Sequence, residues 1–282
     1  MNTPISSQTR IDASAQISDD AVIANGCVVK AGAYIGSGVS LASGVYIGPN
    51  VAFVDSLSAE KSDIRVETDA WIGANSTVYP GILIASKAVV RPGSVVTRSV
   101  PPNAIVEGNP ATIIGYVDVD TAASNAVHQT YTSANNTPSV EATVVKGVTI
   151  HHLSSIPDLR GTLSVGEFQR QIPFVPKRFF IVYGVPSREV RGEHAHVSCQ
   201  QFLVCVNGSC SVVADDGHKR IEIGLTAPNL GLYLPPMTWG IQYKYTPDAI
   251  LLVFASDYYD ATDYIRNYSD FAELIKQSNN SV

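Results

Sequence analysis

The sequence is short of charge and has no long apolar run. Of its 282 residues only 16% are charged, and the net charge is −6 at pH 7. This acidic balance gives no reason to expect a nucleic acid or an anionic membrane surface as a partner. No run of about 18 apolar residues occurs, and the N-terminus lacks a basic-then-apolar signal region. We therefore expect a soluble protein of the cytoplasm, long enough for two domains.

Cysteine is scarce and is not arranged for a metal or a disulfide framework. The cysteines show neither the close pairing of zinc ligands nor the regular spacing of disulfide-rich domains. Three of them lie in a strand-rich stretch, where buried free thiols are common. The four are Cys27, Cys199, Cys205 and Cys210. The sequence therefore predicts free thiols.

Aliphatic residues recur every six positions through the first third of the chain. Neither an α-helix nor a half-buried strand produces this period. A parallel β-helix does, because each hexapeptide forms one face of a coil and points its aliphatic residue inward. Two in-phase runs carry the period: Ile11, Ile17, Ile23, Val29, Ile35, Leu41, Ile47 and Phe53, then Val66, Ile72, Val78, Ile84, Val90 and Val96.

The two runs differ in phase by one residue, so we expect a loop to leave the β-helix between them, at residues 59–65. The repeats end near Pro101 and Pro102, which cannot continue a ladder. We place the first domain at residues 1–117. Residues 118–142 are rich in Ala, Ser, Thr and Asn and predict a linker.

Short strands separated by turn signals follow in residues 143–282. Such regular short strands predict a sandwich or a small barrel. The spacing of the last apolar residues predicts an amphipathic helix over residues 263–276.

The segment Arg191-Gly192-Glu193-His194-Ala195-His196 is the strongest chemical signal in the chain. Residues i and i+2 of a strand share a face, so His194 and His196 point together into the barrel. Paired imidazoles suit either metal ligation or acid–base chemistry. Residues 197–201 and 234–240 offer no carboxylate and no further histidine, which favours acid–base use and no bound metal. A purely structural pair is the remaining alternative.

The repeats resemble the nucleotide-sugar N-acetyltransferases with a left-handed β-helix, over about residues 10–115. The matching stretches are Gly73-Ala74-Asn75-Ser76-Thr77-Val78-Tyr79-Pro80-Gly81 and Val106-Glu107-Gly108-Asn109-Pro110-Ala111. The resemblance implies trimers that hold acetyl-CoA in a cleft between neighbouring β-helices. The residues implied at the co-substrate are Gly73, Ala74, Gly108, Asn109 and Pro110.

The resemblance also implies that Asp55 belongs to the acceptor site, although Val54 replaces its usual asparagine partner. All six histidines follow the repeats, which excludes a histidine-ligated zinc site in the β-helix. An amine acceptor fits, because a neutral amine is already a nucleophile and needs mainly positioning and a proton acceptor. The alternative is that the β-helix is only a trimerisation scaffold and Asp55 only a solvated turn residue.

Residues 146–275 resemble the nucleotide-sugar 3,4-ketoisomerases of the cupin superfamily. The matching stretches include Asp158-Leu159-Arg160-Gly161, Ile172-Pro173-Phe174, Arg191 to His196 and Asp263-Tyr264-Ile265-Arg266-Asn267-Tyr268. The resemblance implies a domain-swapped dimer that converts dTDP-4-keto-6-deoxyglucose into a 3-keto sugar. The expected fold is all-β: a left-handed parallel β-helix followed by a cupin (double-stranded β-helix or jelly-roll) barrel with a C-terminal helix.

The chemistry assigns roles around the histidine pair. We expect His196 to be the base at carbon and His194 to relay the hydroxyl proton, or the reverse. Arg178 and Arg191 are candidates for the pyrophosphate, unless they form structural ion pairs. Relatives often carry tyrosine where Phe180 stands, which leaves Tyr183 as a candidate source of that hydroxyl. The further candidates for substrate contact are Gln201, Trp239 and Tyr243, and the two aromatic residues either stack on thymine or fill the core.

Arg160 bears on the configuration at C4 of the product. In the related ketoisomerases, arginine at this position goes with the galacto product and tyrosine with the gluco product. The second discriminating position is Gly240, where relatives carry histidine or arginine, so a water or Gln242 must serve there. Arg160 favours the galacto product.

The two resemblances combine into one route. A separate PLP-dependent aminotransferase would turn the 3-keto sugar into a 3-amino sugar, which the β-helix would acetylate. The sequence thus predicts a bifunctional enzyme for a surface-polysaccharide sugar, dTDP-3-acetamido-3,6-dideoxygalactose, assembled as a hexamer of two trimers. The main alternative is a ketoisomerase on an inert β-helix, and a carbohydrate-binding cupin without activity ranks third.

Overall fold

The computed structural model describes residues 9–54, 63–120 and 138–279. The chain forms two compact units, Met1–Val117 and Asp118–Val282. Among the described residues, no helix has the length and apolarity needed to cross a membrane.

The first unit is a parallel β-helix with three faces per coil. Partner residues on one face lie 18 positions apart, as in Arg10–Val28 and Val28–Tyr46. Eighteen residues are three hexapeptides, as the sequence period predicts. The strands are β1 (Arg10–Ile11), β2 (Gln16–Ile17), β3 (Val22–Ile23), β4 (Val28–Val29), β5 (Tyr34–Ile35), β6 (Val39–Leu41), β7 (Tyr46–Ile47), β8 (Ala52–Phe53), β9 (Ile64–Val66), β10 (Trp71–Ile72), β11 (Thr77–Val78), β12 (Leu83–Ile84), β13 (Val89–Val90), β14 (Val95–Val96), β15 (Ala104–Gly108) and β16 (Ala111–Tyr116).

Three stacked sheets make the faces of this β-helix. The orders are β1-β4-β7-β10-β13-β15-β16, β2-β5-β8-β11-β14 and β3-β6-β9-β12. From Val29 to Val96 the inward aliphatic residues of both runs are buried and form the core. β16 ends the first sheet as the antiparallel partner of β15, where the repeats stop.

One coil is longer than the others. Tyr46 pairs with Trp71, which lies 25 positions further along the chain rather than 18. The extra residues fall between β8 and β9, and most of the predicted loop, residues 59–62, lies outside the described residues. Ile64 and Arg65 were expected in the loop but belong to β9, because Ile64 rejoins the inward aliphatic set and is fully buried.

The second unit is a two-sheet barrel of the cupin type. Its strands are β17 (Val119–Asp120), β18 (Ser139–Ala142), β19 (Thr149–His152), β20 (Ser154–Asp158), β21 (Gly161–Val165), β22 (Arg178–Tyr183), β23 (Arg191–His196), β24 (Gln201–Asn207), β25 (Cys210–Asp215), β26 (Arg220–Leu225), β27 (Leu230–Leu234), β28 (Trp239–Tyr243), β29 (Ile250–Ala255) and β30 (Tyr264–Ile265). One sheet has the order β17-β26-β25-β28-β23-β30 and the other β18-β19-β27-β24-β29-β22. β20 and β21 form a separate hairpin.

The core of the barrel lies between the two sheets. Leu203, Leu232 and Leu251 of one sheet meet Val212 and Ile223 of the other, and all five are fully buried. Strand alternation places these residues inward and leaves an outer face on each sheet.

Both ends of the predicted linker belong to the second unit. Val119–Asp120 pairs with β26, and Ser139–Ala142 pairs with β19, so these residues form sheet edges rather than a loose connection. The intervening residues 121–137 lie outside the described residues.

The C-terminal helix α1 (Tyr268–Asn279) begins later than the apolar spacing predicts. Tyr264 and Ile265 form β30 instead, because they pair with β23. Asn267 then caps the helix, its side-chain oxygen accepting from the backbone N–H of Ser269. Phe271 of the helix is fully buried against the outer face of the barrel sheet that contains β28.

Candidate active site

The histidine pair lies on β23 beside a β-bulge. β23 pairs with β28, and the register shifts between Gly192 and His194, which lies opposite Gly240. Gly192 has a φ of 83°, and a Cβ atom there would lie 2.6 Å from the carbonyl oxygen of Gly240. Only glycine fits such a position, so Gly192 permits the bulge that fixes the position of His194.

His194 and His196 point into one narrow pocket between the two sheets, as the alternation of the strand predicts. Their ring centroids lie 5.0 Å apart. The pocket is also lined by Cys199, Gln201, Leu234, Pro235, Thr238, Gly240 and Gln242. Gln201, expected from the sequence to contact substrate, therefore lies beside the pair.

His196 is held at both ring nitrogens. Its Nδ1 lies 2.8 Å from a carboxylate oxygen of Asp263, and its Nε2 lies 3.0 Å from Nε2 of Gln201. A carboxylate only accepts, so Nδ1 of His196 carries the proton and Nε2 accepts from the Gln201 amide. Burial lowers the pKa of His196, and the hydrogen bond to Asp263 opposes this only in part.

Asp263 is the residue that orients His196, and the sequence candidates did not include it. One of its oxygens accepts from the backbone N–H and the hydroxyl of Ser198, at 2.7 and 2.8 Å. The other accepts from the backbone N–H of Cys199 at 3.3 Å as well as from His196. Burial alone would raise the pKa of Asp263, but the hydrogen bonds from Ser198 and His196 hold it below its ordinary value.

His196, Cys199 and Asp263 are also close enough to be considered as metal ligands. Their ligand atoms lie within 4.8 Å of one another. Both oxygens of Asp263, however, already accept hydrogen bonds from N–H and O–H groups. This donor set fits a hydrogen-bonded cluster rather than a cation site.

His194 has one ring nitrogen left for substrate. Its Nδ1 lies 2.9 Å from the carbonyl oxygen of Gly192. A carbonyl only accepts, so Nδ1 carries the proton and Nε2 bears the lone pair. In the described part of the chain no hydrogen bond reaches that Nε2. Burial lowers the pKa of His194, so the ring is a neutral base at pH 7.

Tyr264 lies against both imidazoles and was also missed among the candidates. Its ring centroid lies 4.9 Å from that of His194 and 4.3 Å from that of His196. The pairing of β30 with β23 sets this contact, since Tyr264 is opposite His196. Nη2 of Arg178, a predicted pyrophosphate ligand, lies 3.3 Å from the Tyr264 hydroxyl. Both residues stand in the stretch Asp263-Tyr264-Ile265-Arg266-Asn267-Tyr268 that carries the ketoisomerase resemblance, and that match was the signal that could have indicated them.

Trp239 and Tyr243 lie on the other face of β28 from the pocket. Gly240 and Gln242 face the histidines, so Trp239 and Tyr243 face the opposite side of the sheet, where both are buried. The Trp239 ring packs on Tyr268 and Phe271 of that helix, with centroids at 5.2 and 5.6 Å. The structure thus places both aromatic residues in packing rather than beside the histidine pair.

Three further candidates are exposed and do not join the pair in this chain. Tyr183 is 71% exposed on the outer face of β22. Arg160 lies at the turn of the β20–β21 hairpin, where it forms an ion pair of 2.6 Å with Asp158. Arg191 is exposed at the start of β23, opposite Gln242.

In the β-helix, the candidates for acetyl-CoA lie along one sheet. Gly73 follows β10, and a Cβ atom there would lie 2.5 Å from the backbone nitrogen of Pro92 in the next coil. Close stacking of coils therefore explains this glycine, and Ala74 follows it in the turn. The exposed turn Gly108-Asn109-Pro110 joins β15 to β16 in the same sheet. Asp55 lies outside the described residues.

Two neutral imidazoles, one of them hydrogen-bonded to a carboxylate, give this cupin barrel the groups that acid–base catalysis needs. Residues 146–276 match the family described as FdtA: WxcM-like, C-terminal, and the chain belongs to it. Within that family, the TDP-4-oxo-6-deoxy-alpha-D-glucose-3,4-oxoisomerase of Aneurinibacillus thermoaerophilus is 43% identical over 128 residues, which are 45% of this chain and 92% of the relative.

The β-helix matches a second group of proteins. Residues 63–98 match the family described as Hexapeptide repeat of succinyl-transferase. The dTDP-3-amino-3,6-dideoxy-alpha-D-galactopyranose 3-N-acetyltransferase of Aneurinibacillus thermoaerophilus is 52% identical over 52 residues, 18% of this chain. The chain spans 27% of that relative's length.

Among solved structures, a 3,4-ketoisomerase from Thermoanaerobacterium thermosaccharolyticum in complex with TDP is 36% identical. The match covers 48% of this chain and 97% of that one, with a TM-score of 0.46.

Proposed function

We propose that this protein is a bifunctional enzyme of dTDP-sugar synthesis. Its barrel would isomerise dTDP-4-keto-6-deoxyglucose to the 3-keto sugar, and its β-helix would transfer an acetyl group from acetyl-CoA to a dTDP-3-amino-3,6-dideoxyhexose. The unpaired Nε2 of His194, beside a second buttressed imidazole, carries the isomerase proposal. The names of the two Aneurinibacillus relatives support the pairing of activities.

The geometry favours His194 over His196 as the base at carbon. The C3 proton is acidic because C3 lies next to the C4 ketone, and a base that removes it needs a free lone pair. His194 offers one at Nε2, whereas His196 is hydrogen-bonded at both nitrogens. His194 would take the C3 proton to form an enediol and return it at C4. His196, held by Asp263, would position the reacting carbon and oxygen atoms.

The acetyl transfer is proposed to use the turn at the end of the repeats. The exposed turn Gly108-Asn109-Pro110 projects from the end of the repeats and offers backbone groups to the pantetheine and phosphates of acetyl-CoA. The acceptor amine would come from a separate PLP-dependent aminotransferase acting on the isomerase product. Since dTDP-sugars and acetyl-CoA are cytoplasmic metabolites, we place the enzyme in the cytoplasm.

The proposed assembly joins trimers through the β-helix and dimers through the barrel. The outer face of β22 exposes Phe179 and Ile181, 64% and 48% accessible, which a dimer would bury. Beside this face, a cavity of about 590 Å³ is lined by apolar side chains that include Val204, Leu252 and Phe254. Closed symmetry of both contacts gives a hexamer.

Two assays test the proposal. The protein is incubated with dTDP-4-keto-6-deoxyglucose in D₂O, and separately with acetyl-CoA and a dTDP-3-amino-3,6-dideoxyhexose. We expect a 3-keto product, labelled with deuterium at C4 to the extent that the proton on His194 exchanges with solvent before its return. In the second assay we expect an N-acetylated sugar with release of CoA. A protein that forms only the first product is a ketoisomerase on an inert β-helix. A protein that forms no 3-keto sugar overturns the isomerase proposal.

The same reaction tests metal use and stereochemistry. We expect EDTA to leave the isomerase rate unchanged, because both oxygens of Asp263 already accept hydrogen bonds from N–H and O–H groups. NMR of the aminated product shows an axial C4 hydroxyl if Arg160 directs the galacto configuration. An equatorial hydroxyl would contradict that assignment.

A further inference from the structure

The isomerisation needs two proton transfers, and the histidine pair supplies only one of them readily. One proton moves from C3 to C4, and a second moves from the C3 hydroxyl oxygen to the C4 oxygen. His194 can carry the first through its free Nε2. A base that holds the carbon proton cannot carry the second at the same time, and His196 is hydrogen-bonded at both nitrogens. The oxygen-to-oxygen transfer therefore calls for another group that can both donate and accept.

Tyr264 is the side chain placed for this transfer. Its ring lies in contact with both imidazoles, at 4.9 and 4.3 Å between centroids. The hydroxyl oxygen accepts from Nη2 of Arg178 at 3.3 Å, and a guanidinium only donates. The single proton of the phenol is therefore not used by Arg178 and remains available for a substrate oxygen.

The surroundings of Tyr264 favour a transient negative charge on its oxygen. Arg178 lies beside the hydroxyl, and the guanidinium of Arg266 lies 4.4 Å from the ring centroid. The two histidines that face the ring are neutral, and the nearby carboxylate, Asp263, is turned to Ser198 and His196. The two guanidinium groups therefore stabilise a transient phenolate, because the negative charge of Asp263 is already engaged in hydrogen bonds.

We propose that Tyr264 is a catalytic residue of the isomerase, which shuttles the hydroxyl proton between the two substrate oxygens. As His194 takes the C3 proton, the Tyr264 hydroxyl donates its proton to the C4 oxygen, giving the enediol and a phenolate beside Arg178. When His194 returns its proton to C4, the phenolate takes the proton of the C3 hydroxyl and the C3 ketone forms. Both residues end in their starting states, and no oxidant or reductant is consumed. This role rests on the proposed isomerase function.

The first test compares Tyr264→Phe with Tyr259→Phe, using dTDP-4-keto-6-deoxyglucose as the probe. Both substitutions remove one hydroxyl and keep the ring. The Tyr259 ring lies 5.7 Å from that of Tyr264 and 5.4 Å from the Arg178 guanidinium, but its hydroxyl makes no hydrogen bond within the described residues. We expect kcat to fall about 100-fold for Tyr264→Phe with KM nearly unchanged, as for the loss of a general acid–base group. Tyr259→Phe should stay within about twofold of the unsubstituted enzyme.

A second variant separates proton transfer from packing. Replacing Tyr264 by 3-fluorotyrosine keeps the shape of the ring and its hydroxyl but makes the phenol a stronger acid, so kcat should change while KM stays nearly the same. A purely packing role would leave kcat unaffected by this replacement. A Tyr264→Phe enzyme as fast as the parent, or a kcat that does not respond to fluorination, overturns the role of Tyr264. If the parent enzyme itself does not isomerise the sugar, it is the proposed function that fails.

Discussion

The two histidines of the motif differ in what their ring nitrogens contact, and this difference predicts unequal roles. His194→Asn removes the only free ring nitrogen of the pair, so isomerisation should fall by at least about 100-fold, together with deuterium uptake at the sugar carbons. Acetyl transfer should be unchanged, because the residues proposed for it lie in the other unit. NMR in D₂O and a CoA-release assay measure the two activities on the same preparation.

His196→Asn should also abolish isomerisation, because asparagine cannot reproduce the neutral ring held between Asp263 and Gln201. His218→Asn is the matched control, since His218 lies on an exposed turn of the same unit. A folded His194→Asn protein that loses both activities would contradict the assignment of the two reactions to separate sites.

Buried histidines also make the stability of the protein depend on pH. Burial lowers the pKa of His151, His194 and His196 below the ordinary value of 6.5. The unfolded chain therefore binds more protons than the folded one just below that value, so the free energy of unfolding decreases as pH falls from 6.5 through the folded-state pKa values. Urea denaturation at about pH 7.5, 6 and 5 measures this slope.

His151→Phe is the variant that isolates one contribution to that slope. His151 is 4% exposed and lies edge-on to Phe202 at 5.1 Å, so a phenyl ring retains the contact and removes the titration. The decrease in stability toward low pH should become shallower in this variant. An unchanged slope would mean that His151 does not contribute.

Among the secondary-structure elements, those whose residues follow a regular period were predicted best from the sequence. The six-residue spacing identified the β-helix because each aliphatic residue points into the same core, from Val29 to Val96. The alternation of β23 likewise predicted that His194 and His196 share a pocket. The start of helix α1 was misplaced because Tyr264 and Ile265 pair with β23, and pairing between distant segments leaves no local signal.

The partners of the histidines were predicted less well for the same reason. Asp263 and Tyr264 lie almost seventy positions from the motif and reach it only through β30. Trp239 was grouped with the substrate contacts by its residue type, but its strand face turns it toward helix α1. Which face of a strand meets a pocket depends on register, and register is a tertiary property.

Close stacking of coils predicts that Gly73→Ala destabilises the β-helix. The added methyl group would lie 2.5 Å from the backbone nitrogen of Pro92, so backbone must move. We expect the free energy of unfolding to fall by about 1–3 kcal/mol, the usual cost of overpacking. Gly115→Ala is the control, because the nearest atom to its new Cβ is 4.0 Å away. Equal stability of the two variants, measured by urea denaturation, would contradict this role of Gly73.

The contact of Trp239 with helix α1 predicts a loss of stability rather than of substrate affinity. Trp239→Ala removes a ring that packs on Tyr268 and Phe271, so the free energy of unfolding should fall by about 3–5 kcal/mol. Trp239→Phe keeps a ring there and is the variant for kinetics. Its KM for dTDP-4-keto-6-deoxyglucose should match that of the parent, whereas a marked rise in KM would place Trp239 on the nucleotide.

For the whole molecule, the two proposed activities leave a step between them to another enzyme. Under this proposal the isomerase product must gain an amine before the β-helix can acetylate it, so the intermediate would leave the protein and return. An assembly that holds several barrels and several β-helices together raises the chance that a returning amine meets an acetylation site.

The outer face of β22 predicts how that assembly comes apart. Ile181 lies between Phe179 and Tyr183 on this exposed apolar face, and Ile181→Asp places a charge where the barrel dimer would exclude water. With a chain mass of 30.1 kDa, light scattering should give a hexamer for the parent and a trimer for Ile181→Asp. Leu274→Asp, at a partly exposed site on helix α1, is the control and should remain hexameric. The trimer should keep acetyl transfer, because the proposed acetyl-CoA clefts lie between β-helices. A hexamer that survives Ile181→Asp would place the barrel contact on another face, and a monomeric parent would remove the clefts altogether.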